Sequence, residues 1–287
     1  MHVGFIGLGL MGEPMSLNIL KKYDKGELVF DLNSAALQNI VSQGAVGASS
    51  IKEIGEKCDV IISMVPKSEH VISVYNELYS TIKPGKYYIE MSTISPAVSK
   101  EIAEKVKKLG GRMIDAPVVK SRPAAFSGDL GIYVGGDQAD FDKLKPILDC
   151  IGSNVIRMGS NGSGLVMKLA HNSLVSEIQN GVNELIKFAQ VAGGIDPLTF
   201  AKAISYGGGQ NFYLDGKVNA IANRDFTTAF SVANMNKDLH LSKELADKYN
   251  LKLEGLNLTT KNYEKLMERN LGNLDFSASY LLMEDNK

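Results

Sequence analysis

A cluster of glycines directly after the first apolar segment constrains the fold of this chain more than any other feature. Gly7, Gly9 and Gly12 form the pattern G-x-G-x-x-G between the apolar run Val3–Ile6 and a helix-like segment at residues 10–20. In a strand–turn–helix unit the first glycine permits a tight turn, the second lets the backbone approach a pyrophosphate, and the third lets helix and strand pack closely. The N–H groups at the helix N-terminus then face the phosphates. The pattern predicts a dinucleotide-binding turn.

An acidic residue stands at the position that this interpretation requires. Asp31 ends a second apolar run, ELVFD, at roughly the expected offset of 20 residues. A carboxylate there accepts hydrogen bonds from ribose hydroxyls and repels a 2′-phosphate. Leu32 and Asn33, which follow, supply no arginine to bind that phosphate. We therefore expect NAD as the cofactor, with NADP as the less favoured alternative.

Composition and charge exclude several functional classes. The chain has 287 residues and a formal net charge of −1, so it lacks the basic excess that is typical of nucleic-acid binding. No apolar run approaches the ~18 residues of a membrane span, and an early first strand leaves no room for a signal peptide. Cys58 and Cys150 show no C-x-x-C spacing, and we expect two buried thiols and no metal site. These features predict a cytoplasmic enzyme without nucleic-acid or membrane partners.

Strand-like and helix-like segments alternate in the first half of the chain. Strand candidates lie at residues 3–6, 28–31, 59–64, 87–91 and 112–116. Such alternation predicts a parallel sheet with helices on both faces. Two later apolar pieces, LGIYVGG and NVIRMGS, extend the sheet around the helical segment QADFDKLKPILDCI.

The pattern changes after Gly164, where the strand signals end. Apolar residues recur at helical spacing from Leu174 to Ala189, which predicts one helix of roughly 30 residues, or about 45 Å. Later segments such as DPLTFAKAISY, NKDLHLSKELADKYN, TTKNYEKLMERN and FSASYLLME are helix-like. We therefore expect a Rossmann-type domain over residues 1–161, followed over residues 162–287 by a long connecting helix and an all-α domain. A helical domain this small buries a thin core, which favours a homodimer or homotetramer.

Two polar residues near the start of the long helix are the candidates for chemistry. Lys168 and Asn172 stand four residues apart in NGSGLVMKLAHNSL, so they share one face of the helix. With Gly162 and Gly164 as a flexible entry, both side chains could reach a cleft between the two domains. A solvated lysine beside an incidental asparagine is the alternative that this spacing leaves open.

Five motifs of the chain resemble the β-hydroxyacid dehydrogenase family. They are the G-x-G-x-x-x-K-x-x-x-N pattern over residues 162–172, FIGLGLMGEPM, EMSTISP, DAPVVKSRPAAFSGDLGIYVGG and NKDLHLSKELA. That family includes 3-hydroxyisobutyrate dehydrogenase, tartronate semialdehyde reductase and the glyoxylate/succinic semialdehyde reductases. The resemblance covers essentially the whole chain. It implies that a small β-hydroxyacid and its semialdehyde are interconverted by hydride transfer.

The resemblance also implies roles for particular residues. Lys168 would be the catalytic acid/base and Asn172 its substrate-orienting neighbour. Lys237 would come from the helical domain to close over the nicotinamide. The cofactor would further be lined by Leu10, Met11, Val65, Pro66 and Thr93. A lysine suits this chemistry, because hydride transfer to a carbonyl builds negative charge on an oxygen that needs a proton donor.

The loop expected to hold the substrate departs from the family pattern. Many members carry S-G-G after DAPV, where this chain has Val119, Lys120 and Ser121, followed by Arg122. The first hydroxyl is absent, a cation replaces a glycine, and Ser121 could retain part of the hydrogen bonding. An inward-pointing Lys120 would favour a substrate with an extra anionic group, such as a sulfonate, phosphate or second carboxylate. An outward-pointing lysine, which is common for long side chains, would not. Glutamate for the commoner aspartate at Glu90 is expected to change little.

Two other functions remain open at this stage. One is an NADPH-dependent reductase of the glyoxylate/succinic semialdehyde type, and the other is a dinucleotide-binding interaction module without turnover. Lys168 argues against the module and against imine reductases, which share the architecture but typically lack this lysine. The sequence leaves open which hydroxyacid or semialdehyde is used and in which direction the reaction runs.

Overall fold

A computed structural model describes residues 1–23 and 26–284. The chain divides into two compact units, Met1–Lys168 and Leu169–Lys287. The dividing point lies inside the long helix, five residues after the helix begins, because Ser163 is its first residue. Within the described ranges, no helix is both long and apolar enough to cross a bilayer.

The described part of the first unit contains a nine-stranded sheet. The strands are β1 (Val3–Ile6), β2 (Glu27–Phe30), β3 (Val46–Gly47), β4 (Val60–Ser63), β5 (Tyr87–Glu90), β6 (Arg112–Asp115), β7 (Val118–Val119), β8 (Leu130–Gly135) and β9 (Gly152–Gly159). Their order in the sheet is β3-β2-β1-β4-β5-β6-β8-β7, and β9 pairs with β8. The expected Rossmann-type architecture is thus confirmed.

The sheet is parallel from β3 to β6, as the alternation of strands and helices predicts, although the short strand β3 was not among the predicted strands. Strand β8, which was expected only to extend the sheet, runs antiparallel to both β6 and β7. The connection from β7 to β8 holds only the short helix α6 (Arg122–Ser127). A parallel crossover needs about a dozen residues or more, so this connection returns the chain antiparallel.

Helices cover both faces of the sheet because neighbouring strand residues point to opposite faces. Phe5 belongs to one buried apolar cluster and the adjacent Ile6 to another. The other helices of this unit are α1 (Gly12–Lys22), α2 (Ser34–Val41), α3 (Ile51–Lys57), α4 (Ser68–Leu78), α5 (Pro96–Lys108) and α7 (Gln138–Leu148). The side chains of Asn33 and Ser50 cap α2 and α3 by accepting hydrogen bonds from backbone N–H groups.

The second unit is helical, as expected. Helix α8 (Ser163–Gly193) continues into it and is followed by α9 (Pro197–Ile204), α10 (Phe212–Asn223), α11 (Val232–Lys248) and α12 (Glu254–Glu268). The segment FSASYLLME, for which an ordinary helix was expected, forms the 3₁₀ segment Phe276–Glu284. Helix α10 falls within the expected all-α domain, but its segment was not named from the sequence, because FYLDGKVNAIAN carries little amphipathic periodicity.

Glu27 is a buried carboxyl group that lacks a cationic partner in the part of the chain described. It is the first residue of β2, and Ser16 Oγ donates a hydrogen bond to its Oε2 at 2.8 Å. Its other oxygen, Oε1, accepts no hydrogen bond from the described residues. Burial raises the pKa of Glu27 to about 8, against the smaller opposing effect of Ser16.

We expect Glu27 to make stability fall as the pH rises. The folded state keeps the Glu27 proton up to about pH 8, whereas the unfolded chain loses it near pH 4.5. Folding therefore binds a proton between these values, and the free energy of unfolding falls by up to about 1.4 kcal/mol per pH unit. Glu27→Gln should flatten this slope and be more stable than the wild type at pH 8, as measured by urea unfolding at pH 5 and pH 8. Glu101→Gln, at an exposed position, is the control. Equal slopes in the wild type and Glu27→Gln would contradict the prediction.

Candidate functional site

The three glycines of the first turn are required for different reasons. Gly7 has a φ of +96°, and its N–H donates to the Phe30 carbonyl at 3.0 Å. A Cβ on Gly12 would collide with the carbonyl oxygen of Gly7. A Cβ on Gly9, in contrast, would meet no heavy atom within 4 Å. The turn itself requires Gly7 and Gly12, whereas Gly9 leaves open space beside the backbone.

The N-terminus of α1 is suited to an anion. Met11 occupies the N-cap position and makes no side-chain cap hydrogen bond. The first N–H groups of a helix have no partners within the helix, and with the helix dipole they attract phosphate. The open space beside Gly9 and this uncapped helix start fit the pyrophosphate of a dinucleotide.

Asp31 follows β2 and braces the glycine turn. Its Oδ2 accepts a hydrogen bond from the N–H of Leu8 at 2.6 Å, and its Oδ1 accepts one from the N–H of Asn33 at 2.6 Å. A carboxylate has about four lone-pair sites, so Asp31 can still accept hydrogen bonds from ribose hydroxyls. The next residue, Leu32, is 91% exposed. The bracing role of Asp31 was not predicted from the sequence.

The turns after β4 and β5 are joined to each other by hydrogen bonds. Ser92 Oγ accepts from the N–H of Val65 at 2.8 Å, and the N–H of Ser92 donates to Glu90 Oε1 at 2.8 Å. Ser63 Oγ donates to Glu90 Oε2 at 2.6 Å. Strands β1, β4 and β5 are parallel neighbours, so these turns lie at the same sheet edge as the glycine turn. There, Leu10 and Pro66 are exposed, while Met11, Val65 and Thr93 are half-buried.

Glu90 organises these turns although the sequence indicated no such role. Its side chain is fully buried. Burial raises the pKa of Glu90 to about 7, and the hydrogen bonds from Ser63 and Ser92 act in the opposite direction. The signal that could have found it is an acidic residue at the end of an otherwise apolar strand, YYIE, where a carboxylate needs partners from neighbouring loops.

The loop expected to hold the substrate is shaped by Lys120. This residue has a φ of +74°, in the left-handed region that glycine adopts freely, which explains why glycine suits this position. Its Nζ lies 2.6 Å from Asp129 Oδ2, and Ser153 Oγ donates to the other oxygen of Asp129. The charge of Lys120 is therefore matched by a carboxylate.

The residues on either side of Lys120 are placed differently. Val119 is buried and ends β7. Ser121 precedes α6, and its carbonyl accepts a hydrogen bond from the N–H of Ala125 at 3.2 Å. The guanidinium of Arg122 lies 3.7 Å from Glu13 and 5.1 Å from the centre of the Phe126 ring.

The start of α8 is tightly held, and the expectation of a flexible entry is wrong. Asp115, at the end of β6, accepts hydrogen bonds from the N–H groups of Gly162 at 2.6 Å and Leu165 at 2.9 Å. A Cβ on Gly164 would collide with the carbonyl oxygen of Tyr133. The glycines allow the helix start to approach the sheet closely.

Lys168 and Asn172 are both buried on α8, with exposed fractions of 7% and 5%. The alternative of a solvated lysine is therefore wrong. Asn172 Nδ2 donates to Asp238 Oδ2 at 2.7 Å, which turns its amide oxygen away from that carboxylate. Lys237 Nζ lies 3.0 Å from Asp238 Oδ1. Asp238, on α11, is buried and contacts both predicted site residues of the second unit, a role that was not predicted from the sequence.

Among residues 1–23 and 26–284, no group of three or more His, Cys, Asp or Glu side chains could hold a metal ion.

Two family matches together cover nearly the whole chain. Residues 2–159 match the family described as the NAD binding domain of 6-phosphogluconate dehydrogenase. Residues 162–283 match the family described as NAD-binding of NADP-dependent 3-hydroxyisobutyrate dehydrogenase.

Relatives align over almost their whole length. The mitochondrial 3-hydroxyisobutyrate dehydrogenase of Drosophila melanogaster is 33% identical, and the alignment covers 100% of this chain and 90% of the relative. The NAD-dependent L-serine dehydrogenase of Pseudomonas aeruginosa is also 33% identical, with coverages of 99% and 98%. A solved structure of Mycobacterium tuberculosis 3-hydroxyisobutyrate dehydrogenase with L-serine has a TM-score of 0.90 at 27% identity, over 98% of each chain. These matches confirm the resemblance and the nicotinamide dinucleotide class of cofactor.

We expect two glycine variants to separate cofactor binding from stability. Gly9→Val should keep the melting temperature of the cofactor-free protein, because its side chain enters open space, but weaken NADH binding by about tenfold or more, equivalent to at least about 1.4 kcal/mol. Gly12→Ala should instead lower the melting temperature, because its Cβ displaces the Gly7 carbonyl. Thermal unfolding and fluorescence titration with NADH measure the two effects. Wild-type NADH affinity in Gly9→Val would show that the dinucleotide binds elsewhere.

Proposed function

Because the chain belongs to the β-hydroxyacid dehydrogenase family, which includes 3-hydroxyisobutyrate dehydrogenase, we propose that it interconverts a small β-hydroxyacid and its semialdehyde, with Lys168 as the acid/base. The chain is an NAD(P)-dependent oxidoreductase that acts on CH–OH groups. The observation that carries the specific proposal is the burial of Lys168 on α8. The first turn of that helix is bound to Asp115, at the sheet edge that also carries the glycine turn.

The proposed mechanism gives each polar residue one task. The nicotinamide, when bound, supplies the hydride chemistry. Lys168 Nζ donates a proton to the carbonyl oxygen during reduction and removes the hydroxyl proton during oxidation. The amide of Asn172, held by Asp238, orients the substrate oxygen. Lys237, paired with the same carboxylate, remains a proposed cofactor contact.

We expect Lys168→Ala to lower kcat by about 10²–10⁴-fold, the usual contribution of general acid–base catalysis. The Kd for NADH should change by less than about twofold, because the glycine turn and Asp31 are untouched. Lys143→Ala, at an exposed position on α7, serves as the control. Steady-state kinetics and NADH titration give the two quantities. Wild-type kcat in Lys168→Ala would refute the acid/base role.

The proposed substrate is a small hydroxyacid with a single anionic group. A preference for an extra anionic group would depend on Lys120, whose ammonium is already paired with Asp129 at 2.6 Å. A second anion would have to displace that carboxylate, so the pair weighs against the preference. 3-Hydroxyisobutyrate and L-serine, the compounds in the names of the two relatives, are the first candidates to assay.

We propose NAD as the preferred cofactor, with the NADPH-dependent reductase as the alternative. Asp31 places a negative charge beside the ribose position, and the exposed Leu32 provides no cation for a 2′-phosphate. We expect kcat/KM to be higher with NAD by about tenfold or more, equivalent to at least about 1.4 kcal/mol. Leu32→Arg should raise kcat/KM with NADP and leave the NAD value within about twofold. A wild-type enzyme that is faster with NADPH would establish the alternative.

We propose that a second copy of the chain covers an apolar face of the second unit. Phe188 and Val191 on α8 are 67% and 74% exposed, and with Met283 they line a groove of about 390 Å³. Exposed apolar side chains grouped on one helix face are typical of interaction surfaces, and a dimer or tetramer would bury these. Light scattering should give a mass above one chain, and Phe188→Asp should lower it. Leu251→Asp, at another exposed apolar position, is the control. A monomeric wild type would refute the proposal.

The proposed compartment is the cytoplasm. Cys58 and Cys150 are both free and buried. Burial raises the pKa of the Cys58 thiol to about 11, which keeps it protonated and unreactive. Two unpaired thiols suit a reducing environment.

A further inference from the structure

Asp115 performs for α8 the task that a local N-cap residue usually performs. Its side chain is fully buried, and its two oxygens accept hydrogen bonds from the N–H groups of Gly162 and Leu165. The first N–H groups of any helix lack partners within the helix. Here they are satisfied by a strand residue 47 and 50 positions earlier in the chain.

Close packing fixes the helix start from several directions. A Cβ on Gly135 would collide with the carboxylate of Asp115. A Cβ on Gly164 would collide with the Tyr133 carbonyl. The first turn of α8 is therefore held against β6 and β8, with the Asp115 carboxylate at the contact.

Lys168 stands only three residues beyond Leu165, or about 4.5 Å along the helix axis. A shift of the first turn is therefore passed directly to the lysine, which cannot move away from the helix that carries it. A misplacement of about 1 Å in a catalytic group can cost about 100-fold in rate. Activity should thus be more sensitive to the contacts of Asp115 than stability is.

The charge state of Asp115 suits two acceptor oxygens. Burial raises the pKa of Asp115 to about 6, while the N–H groups of Gly162 and Leu165 act in the opposite direction. Above this pH both oxygens accept hydrogen bonds. An asparagine would turn an NH₂ group toward one of the two backbone N–H groups, and the two donors would repel each other.

We propose that Asp115 is a positioning residue for Lys168: by binding the N–H groups of Gly162 and Leu165 it sets the place of the lysine at the sheet edge. This inference rests on the proposed acid/base role of Lys168. It assigns a kinetic function to an aspartate that has no predicted contact with substrate or cofactor.

The test is a double-mutant cycle between Asp115→Asn and Lys168→Ala, with NADH affinity as a second measurement. Asp115→Asn alone should lower kcat by about 10- to 100-fold and leave the Kd for NADH within about twofold. In the Lys168→Ala background the same substitution should change the remaining rate by less than about twofold, because the lysine through which it acts is gone. Independent, multiplicative losses would overturn the inference and leave the role of Lys168 intact. Wild-type kcat in Lys168→Ala would overturn both.

Two further variants separate positioning from general loss of stability. Gly164→Ala keeps Asp115 but pushes the same helix turn away from the Tyr133 carbonyl and the Asp115 carboxylate, so it should reproduce the kcat loss and the coupling to Lys168, even where Asp115→Asn folds poorly. Asp140→Asn removes another buried carboxylate of the same unit, which is paired with Arg112 at 2.9 Å. It should lower the melting temperature and leave kcat within about twofold. A kcat loss in Asp140→Asn equal to that in Asp115→Asn would reduce Asp115 to a purely structural role.

Discussion

The carboxyl edge of the sheet depends on acidic side chains that bind the backbone N–H groups of the loops above it. Asp31 binds the glycine turn through Leu8, Glu90 binds the following turns through Ser92, and Asp115 binds the start of α8. Buried N–H groups need acceptors, and loops at this edge lack the strand partners that would supply them. Each acid stands at or just after the end of a strand, so the sheet itself determines where the loops lie.

The acids of the two units are stabilised differently. Burial raises the pKa of Asp115 and of Glu90, and no described ion pair involves either residue. In the second unit burial also acts to raise the pKa of Asp275, but hydrogen bonds from Lys217 and Ser277 outweigh it and the pKa is lowered. Asp115 and Glu90 thus hold their protons more tightly than Asp275 does.

Features that depend on neighbouring residues could be predicted from the sequence, and features that depend on distant ones could not. The glycine turn, the positions of β1, β2, β4, β5 and β6 and the length of α8 follow from local patterns of glycine and apolar residues. The antiparallel course of β8 and the contact of Asn172 with Asp238 join residues far apart in the chain. Periodicity carries no information about such pairs. The burial of Lys168 likewise depends on residues that are distant in the chain and pack around the helix.

Lys120 has a backbone conformation that glycine adopts more readily than lysine. A lysine in the left-handed backbone region costs about 1–2 kcal/mol relative to glycine, and its exposed pair with Asp129 offsets little of that cost because solvent screens it. Glycine at this position would remove the backbone strain, so the shape of the loop does not depend on the lysine side chain. The charge that this loop presents can therefore change without a change in its fold.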